Sequence, residues 1–144
     1  MRVVLDTNVL ISATTTPEGT PSKILRKVYE GSLELVFSPS TLAELRRVLG
    51  YPKLVKRLQK PGMEYTDVDD VIQRVSAFSV FVSGGTKIDA VRDDPSDNMF
   101  LACAVEGNAD FIVSGDRHLL ELGEYGGIRI LPPAQFAKII GITS

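Results

Sequence analysis

The fold is decided near the start of the chain, where residues 3–8 read Val-Val-Leu-Asp-Thr-Asn. A continuous apolar run of this kind is typical of a strand buried on both faces of a parallel sheet. The run delivers Asp6 to the carboxyl end of the strand, which is the edge where open α/β sheets bind their ligands. Aspartate is also a common N-cap of the helix that follows such a strand, so Asp6 has both a functional and a structural interpretation.

Short apolar runs alternate with helical patterns along the rest of the chain. The further predicted strands are residues 33–37, 80–82, 111–113 and 128–131. The predicted helices have an apolar stripe or a Pro or Gly boundary. They are residues 21–30, 38–49, 53–60, 67–78, 96–105, 117–122 and a short helix after Pro132. Thr20 is the predicted cap of the first of these helices, and Thr66 is the predicted cap of the helix 67–78. This alternation predicts an α/β fold with a parallel sheet and helices on both faces.

Length and composition limit the possible classes of protein. The 144 residues fit one domain covering 1–144. The formal net charge of -2 gives no bulk attraction to nucleic acid, so such binding would need a local basic patch and metal neutralisation. Cys103 is the only cysteine, which excludes a disulfide framework and a thiolate cluster. No signal peptide or membrane span is visible, so we expect a cytoplasmic protein.

Three further acids occupy settings comparable to that of Asp6. Glu44 lies on the predicted helix 38–49, Asp97 opens the most apolar helix, and Asp116 follows the strand 111–113 through a Gly turn. Each has a structural alternative: pairing with Arg47, complementing a helix dipole, and capping a helix, respectively. Carboxylates that converge on one sheet edge repel one another strongly unless a cation joins them. Taken together, the four acids therefore indicate divalent metal chemistry.

The four acidic segments, in this order, resemble a known family. They are Asp-Thr-Asn at 6–8, Glu44 on a helix, Asp-Asn-Met-Phe-Leu-Ala-Cys-Ala from Asp97, and Ile-Val-Ser-Gly-Asp at 112–116. Over essentially its whole length the chain resembles the PIN-domain (PilT N-terminus) nucleases. Within that family it is similar to the stand-alone toxin components of toxin–antitoxin pairs. The resemblance implies a Rossmann-like three-layer α/β/α sandwich with a central, mostly parallel sheet.

The resemblance also implies a site, a cofactor and partners. The implied activity is Mg²⁺- or Mn²⁺-dependent cleavage of single-stranded RNA, and the implied partners are an antitoxin protein and a second copy of the chain in a homodimer. The implied catalytic acids are Asp6, Glu44, Asp97 and Asp116, with Asp6, Asp97 and Asp116 as metal ligands and with Asn8 and Ser114 orienting the carboxylates. Asp94 is left open as a group beside the ligands or as a loop residue. The sole histidine, His118, is expected to be a surface helix residue.

A basic stretch supplies candidate contacts for RNA. Residues 45–63 contain no Asp or Glu, and Tyr51 among them offers a stacking surface. The candidate contacts are Arg46, Arg47, Lys53, Lys56 and Arg57. The alternatives are a solvated helix pair balanced by the acidic residues 64–70, or a docking face for an acidic partner.

Other functions fit the sequence less well or compete with the toxin role. A phosphohydrolase that forms an aspartyl-phosphate also starts with an Asp at a strand end, but the haloacid dehalogenase type needs a second Asp where this chain has Asn8. A nucleotide-binding fold needs a Gly-rich phosphate loop after the first strand, and this chain has no such loop there. A PIN-like module that binds RNA or protein without cutting, and an RNA-processing nuclease unrelated to toxin–antitoxin pairs, remain as alternatives.

Overall fold

A computed structural model describes residues 1–92 and 94–142 of the chain. Its strands form one six-stranded sheet in the order β3-β2-β1-β4-β6-β5. They are β1 Arg2–Leu5, β2 Glu34–Phe37, β3 Ser79–Phe81, β4 Phe111–Val113, β5 Glu124–Tyr125 and β6 Ile128–Leu131. Every neighbouring pair is parallel except β5 and β6, which are antiparallel. The predicted α/β fold with a mostly parallel sheet is therefore confirmed.

Helices connect the strands. They are α1 Thr7–Thr15, α2 Thr20–Tyr29, α3 Pro39–Leu49, α4 Pro52–Leu58, α5 Val68–Ala77, α6 Asn98–Glu106, α7 Arg117–Leu122 and α8 Pro133–Ile139. A 3-10 turn over Pro95–Asp97 leads into α6. In the described parts of the chain, none of these helices combines the length and apolar character that crossing a bilayer requires.

The sheet separates two hydrophobic cores, and the central strands contribute to both. In β1, Val3 and Leu5 point into one core while Val4 points into the other. Successive side chains of a strand lie on opposite faces, so a strand that is apolar at every position has both faces covered. The first core also contains residues of α1 to α5 and α8, and the second contains residues of α6 and α7. This is the three-layer α/β/α sandwich that the resemblance implied.

Several predicted boundaries need correction. The N-cap position of α2 is Gly19, which makes no side-chain cap, and not Thr20. The N-cap of α5 is Asp67 and not Thr66, because the Asp67 carboxylate accepts from the Asp70 amide while the Asp70 carboxylate accepts from the Thr66 amide. Ser38 does cap α3, through a reciprocal capping box with Thr41. The two-residue strand β5 was not predicted, since two residues carry no periodicity.

The strand order places a crevice beside β1. The chain runs from β1 outward to β2 and β3, and then returns to add β4 and β6 on the other side of β1. The carboxyl ends of β1 and β4 therefore form the topological switch point of the sheet, where ligands of doubly wound folds bind. Leu5 pairs with Val113 in register, so the residues that follow these two strands lie side by side.

Candidate active site

Asp6 and Ser114 meet at the switch point. The Asp6 amide donates to the Val113 carbonyl at 3.0 Å, which extends the ladder between β1 and β4 by one residue. Asp6 is the N-cap of α1, where its Oδ1 accepts from the Val9 amide at 2.8 Å. Its Oδ2 accepts a hydrogen bond from the Ser114 hydroxyl. The capping interpretation is thus confirmed, and it fixes the carboxylate at the sheet edge with only 4% of Asp6 exposed.

Burial governs the ionisation of Asp6. Desolvation raises the pKa of Asp6, against the lowering effect of the hydrogen bonds from Ser114 and from the Val9 and Gly115 amides. The nearby Asp116 carboxylate adds a further upward contribution to this pKa. A neighbouring positive charge would stabilise the ionised form of Asp6, because it would offset both the desolvation of the carboxylate and its repulsion by Asp116.

Three carboxylates converge next to Asp6. Asp94, Asp97 and Asp116 each offer a carboxylate oxygen, and these oxygens all lie within 4.8 Å of one another. Asp94 comes from the loop before the 3-10 turn and Asp97 from the last residue of that turn. Asp116 caps α7, where its Oδ1 accepts from the His118 and Leu119 amides at 2.8 and 3.3 Å. Three different local structures thus supply one cluster of acids.

The pKa values of the cluster show the cost of placing these charges together. Desolvation, together with a shared proton and repulsion from Asp116, raises the pKa of Asp97 to about 7. For Asp116, desolvation acts upward, but the proton shared with Asp97 and the Leu119 and His118 amides outweigh it, so its pKa is lowered. Asp97 therefore holds its proton more tightly than an ordinary carboxyl group does, and a cation would compete with that proton.

The acids line a cleft of about 160 Å³ at the carboxyl edge of the sheet. Its lining residues are Asp6, Thr7, Asn8, Glu44, Val48, Asp94, Ser96, Asp97, Met99, Phe100 and Asp116. Two buried side-chain oxygens among them, Asp97 Oδ2 and Thr7 Oγ1, have no hydrogen-bond partner within residues 1–92 and 94–142. Buried polar atoms are normally paired, and hard carboxylate oxygens are the ligands that Mg²⁺ and Mn²⁺ prefer. The donor set therefore fits a divalent cation.

Comparison with known proteins agrees with this geometry. The family model described as "PIN domain" matches residues 2–118, which include every acid of the cleft. This chain belongs to the PIN domain family. It is also 34% identical over 122 residues to "Uncharacterized protein MJ1680" of Methanocaldococcus jannaschii, a match that covers 85% of this chain and 75% of the relative. Membership places the chain among metal-dependent nucleases, and the clustered acids of its cleft fit a catalytic site of that kind.

Glu44 lines the cleft of this PIN domain but does not join the three clustered acids. It lies on α3, where the Arg47 guanidinium donates to both of its oxygens at 2.6 and 3.1 Å. Arg47 also donates to the Tyr51 hydroxyl, and its guanidinium lies 5.6 Å from the centre of the Tyr51 ring. The expected pairing of Glu44 with Arg47 is thus present. It leaves Glu44 at the cleft wall, where its catalytic role stays a prediction.

The two residues predicted to orient carboxylates are placed differently. Ser114 is fully buried, donates to Asp6 and accepts from the Asp116 amide at 2.9 Å, so it links two of the acids. Asn8 is exposed at the cleft rim, and in the part of the chain that the structure describes no hydrogen bond joins its side chain to a carboxylate. An orienting role for Asn8 therefore remains a prediction.

The predicted RNA contacts differ in whether their side chains form ion pairs with the protein's own acids. Arg46 pairs with Asp69 at 2.6 Å and Arg47 pairs with Glu44. Lys53 and Lys56 are exposed on α4, and within the described residues neither forms an ion pair. Arg57, on the same helix, is half-buried and likewise forms none there.

Sequence reasoning did not assign some residues of the cleft. Asp94 was left open, yet its carboxylate lies in the cluster with Asp97 and Asp116. The sequence feature that pointed to Asp94 was the run of acids before α6. Asp93, which belongs to the same run, lies outside the described residues. Thr7 was quoted only as part of the Asp-Thr-Asn segment, although the residue lines the cleft and its hydroxyl is buried. Neither position could be ranked from spacing alone, because loop conformation decides which acids meet.

Proposed function

We propose that this PIN domain is an endoribonuclease that cleaves single-stranded RNA with the help of Mg²⁺ or Mn²⁺. The observation that carries the proposal is the convergence of the Asp94, Asp97 and Asp116 oxygens within 4.8 Å. Among the residues that the structure describes, the buried Asp97 Oδ2 has no hydrogen-bond partner. Asp6 lines the same cleft. Its charge contributes to the raised pKa of Asp97, and the charge of Asp116 contributes to the raised pKa of Asp6. We assign Asp97, Asp116 and Asp6 as metal ligands and add Asp94 to them.

The proposed roles follow from the environment of each side chain. When bound, a divalent cation acidifies an attacking water and neutralises charge on the phosphate. Asp97 must release its proton to bind the ion, because its pKa is raised to about 7. Ser114 holds Asp6 in place by donating to Oδ2, and it also accepts from the Asp116 amide. Glu44 stands at the cleft wall, where it orients water or substrate once Arg47 exchanges partners.

The helix α4 and the C-terminal end of α3 are the proposed RNA contact surface. Lys53 and Lys56, which form no ion pair with any residue that the structure describes, offer their charges to phosphates. The exposed Tyr51 ring offers a stacking surface for a base. Phosphate contacts make binding salt-dependent. Replacing either lysine by alanine should therefore reduce the salt slope of RNA binding by about one. Lys138→Ala is the matched control, because Lys138 is an exposed lysine on α8.

The activity is tested by Mn²⁺-dependent cleavage of labelled single-stranded RNA, with single-stranded DNA of the same sequence as a second substrate. Asp6→Asn is the informative variant, because asparagine caps helices as well as aspartate does and so preserves α1. Asp89→Asn is the control, since Asp89 is a surface acid with a side chain 80% exposed. We expect RNA cleavage by the wild type and the control, and strong loss in Asp6→Asn. Equal cleavage by all three proteins would refute the assignment, and RNA binding without cleavage would favour a non-catalytic module.

We further propose that the enzyme acts in the cytoplasm as the toxin of a toxin–antitoxin pair and forms a homodimer. Support for this part is the resemblance to stand-alone PIN toxins, in which an antitoxin segment would cover the acidic cleft. Expression of the wild type alone should arrest growth, whereas Asp6→Asn should be tolerated. Harmless expression of an enzyme that cleaves RNA in vitro would favour RNA processing instead. Light scattering of the purified chain tests the dimer.

A further inference from the structure

A segment between β3 and α6 crosses the second core without regular secondary structure. We call residues 82–92 the strap. Its apolar side chains Val82, Ile88, Ala90 and Val91 pack against the second core, and Val91 is only 5% exposed. The strap begins where the Val82 amide donates to the Phe37 carbonyl at 2.9 Å. It precedes the loop that carries Asp94, one of the clustered acids of the cleft.

Two side chains of α6 tether the strap at opposite ends. Glu106, in the last turn of α6, accepts from the Ser83 hydroxyl at 2.7 Å and from the Gly84 and Thr86 amides at 2.9 and 3.0 Å. These three donors lower the pKa of Glu106 to about 2. Asn98, in the first turn of α6, provides the second tether. The two tethers belong to the same helix and the same strap, but only the second lies next to the cleft.

The Asn98 amide group pairs with Val91 as a neighbouring strand would. Its Oδ1 accepts from the Val91 amide at 2.9 Å and from the Ala90 amide at 3.2 Å, while its Nδ2 donates to the Val91 carbonyl at 2.9 Å. This pairing needs an acceptor and a donor on one short planar group, which asparagine has and aspartate lacks. Because Val91 is buried, its backbone groups would otherwise be left without partners at considerable cost.

Asp94 is held between this tether and the 3-10 turn. On its C-terminal side, the Asp94 carbonyl accepts from the Asp97 amide at 3.0 Å, and its Oδ1 accepts from the Ser96 hydroxyl at 2.5 Å. On its N-terminal side, Val91 is three residues away and is fixed by Asn98. Loss of the Asn98 amide would release that side and let the Asp94 carboxylate move relative to Asp97 and Asp116.

We propose that Asn98 is a positioning residue that holds Asp94 within reach of a cation bound by Asp97 and Asp116. This inference rests on the metal site of the proposed function. Groups that orient metal ligands commonly change metal affinity by about 10–100-fold when removed. Asn98→Ala should therefore raise the Mn²⁺ dissociation constant about tenfold. Asn98→Gln keeps the polarity of the amide but places it one methylene farther out, so it should also weaken binding.

Mn²⁺ electron paramagnetic resonance measures the affinity without any need for activity. All proteins are compared at a temperature where circular dichroism shows them folded. Glu106→Gln is the matched control, because it weakens the other tether of the same strap, and its dissociation constant should stay within about twofold of the wild type. Hydrogen exchange of the metal-free protein should show a faster Val91 amide in Asn98→Ala and an unchanged one in Glu106→Gln.

A double-mutant cycle separates positioning from general loosening of the fold. If Asn98 acts through Asp94, Asn98→Ala should add less than about a twofold effect in an Asp94→Asn background. A full tenfold effect in both backgrounds would overturn the inference, as would equal weakening by Glu106→Gln. If the wild type binds Mn²⁺ and Asp94→Asn weakens binding while Asn98→Ala does not, the positioning role alone is overturned. If the wild type binds no Mn²⁺, the proposed function fails as well.

Discussion

Replacing Asp97 by asparagine should stabilise the metal-free protein at alkaline pH. The pKa of Asp97 is raised from 3.8 to about 7, first by desolvation and then by Asp116. A change of one in pKa is equivalent to about 1.4 kcal/mol. Ionising Asp97 in the folded cleft therefore costs about 4 kcal/mol if solvent does not screen it, and about 2–4 kcal/mol with water in the open cleft. Asp97→Asn removes this cost.

The sign of the pH dependence follows from the protons bound in each state. Below pH 4, Asp97 is neutral both folded and unfolded, so it contributes no difference. From about pH 4 to 7 the folded protein retains a proton that the unfolded chain releases, and the wild type loses stability as the pH rises. Above pH 7 the difference between the variant and the wild type is full and constant. Urea unfolding in EDTA at pH 5 and pH 8.5, followed by circular dichroism, measures the difference in the free energy of unfolding between Asp97→Asn and the wild type.

A metal ion should reverse the order of stability. Saturating Mn²⁺ binds the folded wild type and raises its free energy of unfolding, whereas Asp97→Asn should gain little. Asp89→Asn controls for the loss of an acid, because Asp89 is a surface residue with a side chain 80% exposed. The reasoning is refuted if Asp97→Asn is less stable than the wild type at pH 8.5 in EDTA, or if its advantage is the same at pH 5.

Three further predictions test the surroundings of the cleft. Ser114→Ala removes the hydroxyl that donates to Asp6, so the pKa of Asp6 should rise further and Mn²⁺ affinity should fall about tenfold, as measured by titration at pH 7; unchanged affinity would contradict this. Thr7→Val replaces a buried hydroxyl that has no partner among the described residues and should stabilise the metal-free protein by about 1 kcal/mol in urea unfolding, whereas a loss of stability would show that the hydroxyl has a partner. Gly107→Ala places a methyl 2.5 Å from Val36 and should destabilise the protein by about 1–3 kcal/mol, measured in the same way, with a neutral result counting against this close packing.

The fold was predictable because its signals are local and repeated. The apolar run at residues 3–5 is buried on both faces, and its composition alone indicated a parallel sheet covered on both sides. Caps were less predictable, since Thr66 and Asp67 are adjacent and both can cap. The structure resolves that choice, because the Asp67 carboxylate accepts from the Asp70 amide, whereas the Thr66 amide donates to the Asp70 carboxylate. The strand β5 was missed because it depends on pairing with β6 and not on its own pattern.

The site was predictable only as far as the strands position it. Asp6 and Asp116 follow neighbouring strands, so their convergence follows from the sheet topology. The place of Asp94 depends on a loop tethered by Asn98, a contact between groups seven residues apart that leaves no periodic signal in the sequence. The position of Glu44 depends on α3 and on its bidentate pair with Arg47. The contact of Asn98 with Val91 is set by tertiary packing, so spacing alone could not assign it. The i,i+3 spacing of Glu44 and Arg47 on one helix did indicate their pairing, but it could not show that Glu44 lines the cleft.

The most direct test of the metal-dependent site is to measure RNA cleavage as a function of Mn²⁺ concentration under single-turnover conditions. The clustered carboxylates of Asp94, Asp97 and Asp116 predict that the cleavage rate rises with a midpoint equal to the Mn²⁺ dissociation constant from direct binding. They also predict that Asp97→Asn abolishes both binding and cleavage. Cleavage that persists in EDTA, or that Asp97→Asn leaves unchanged, would contradict the account.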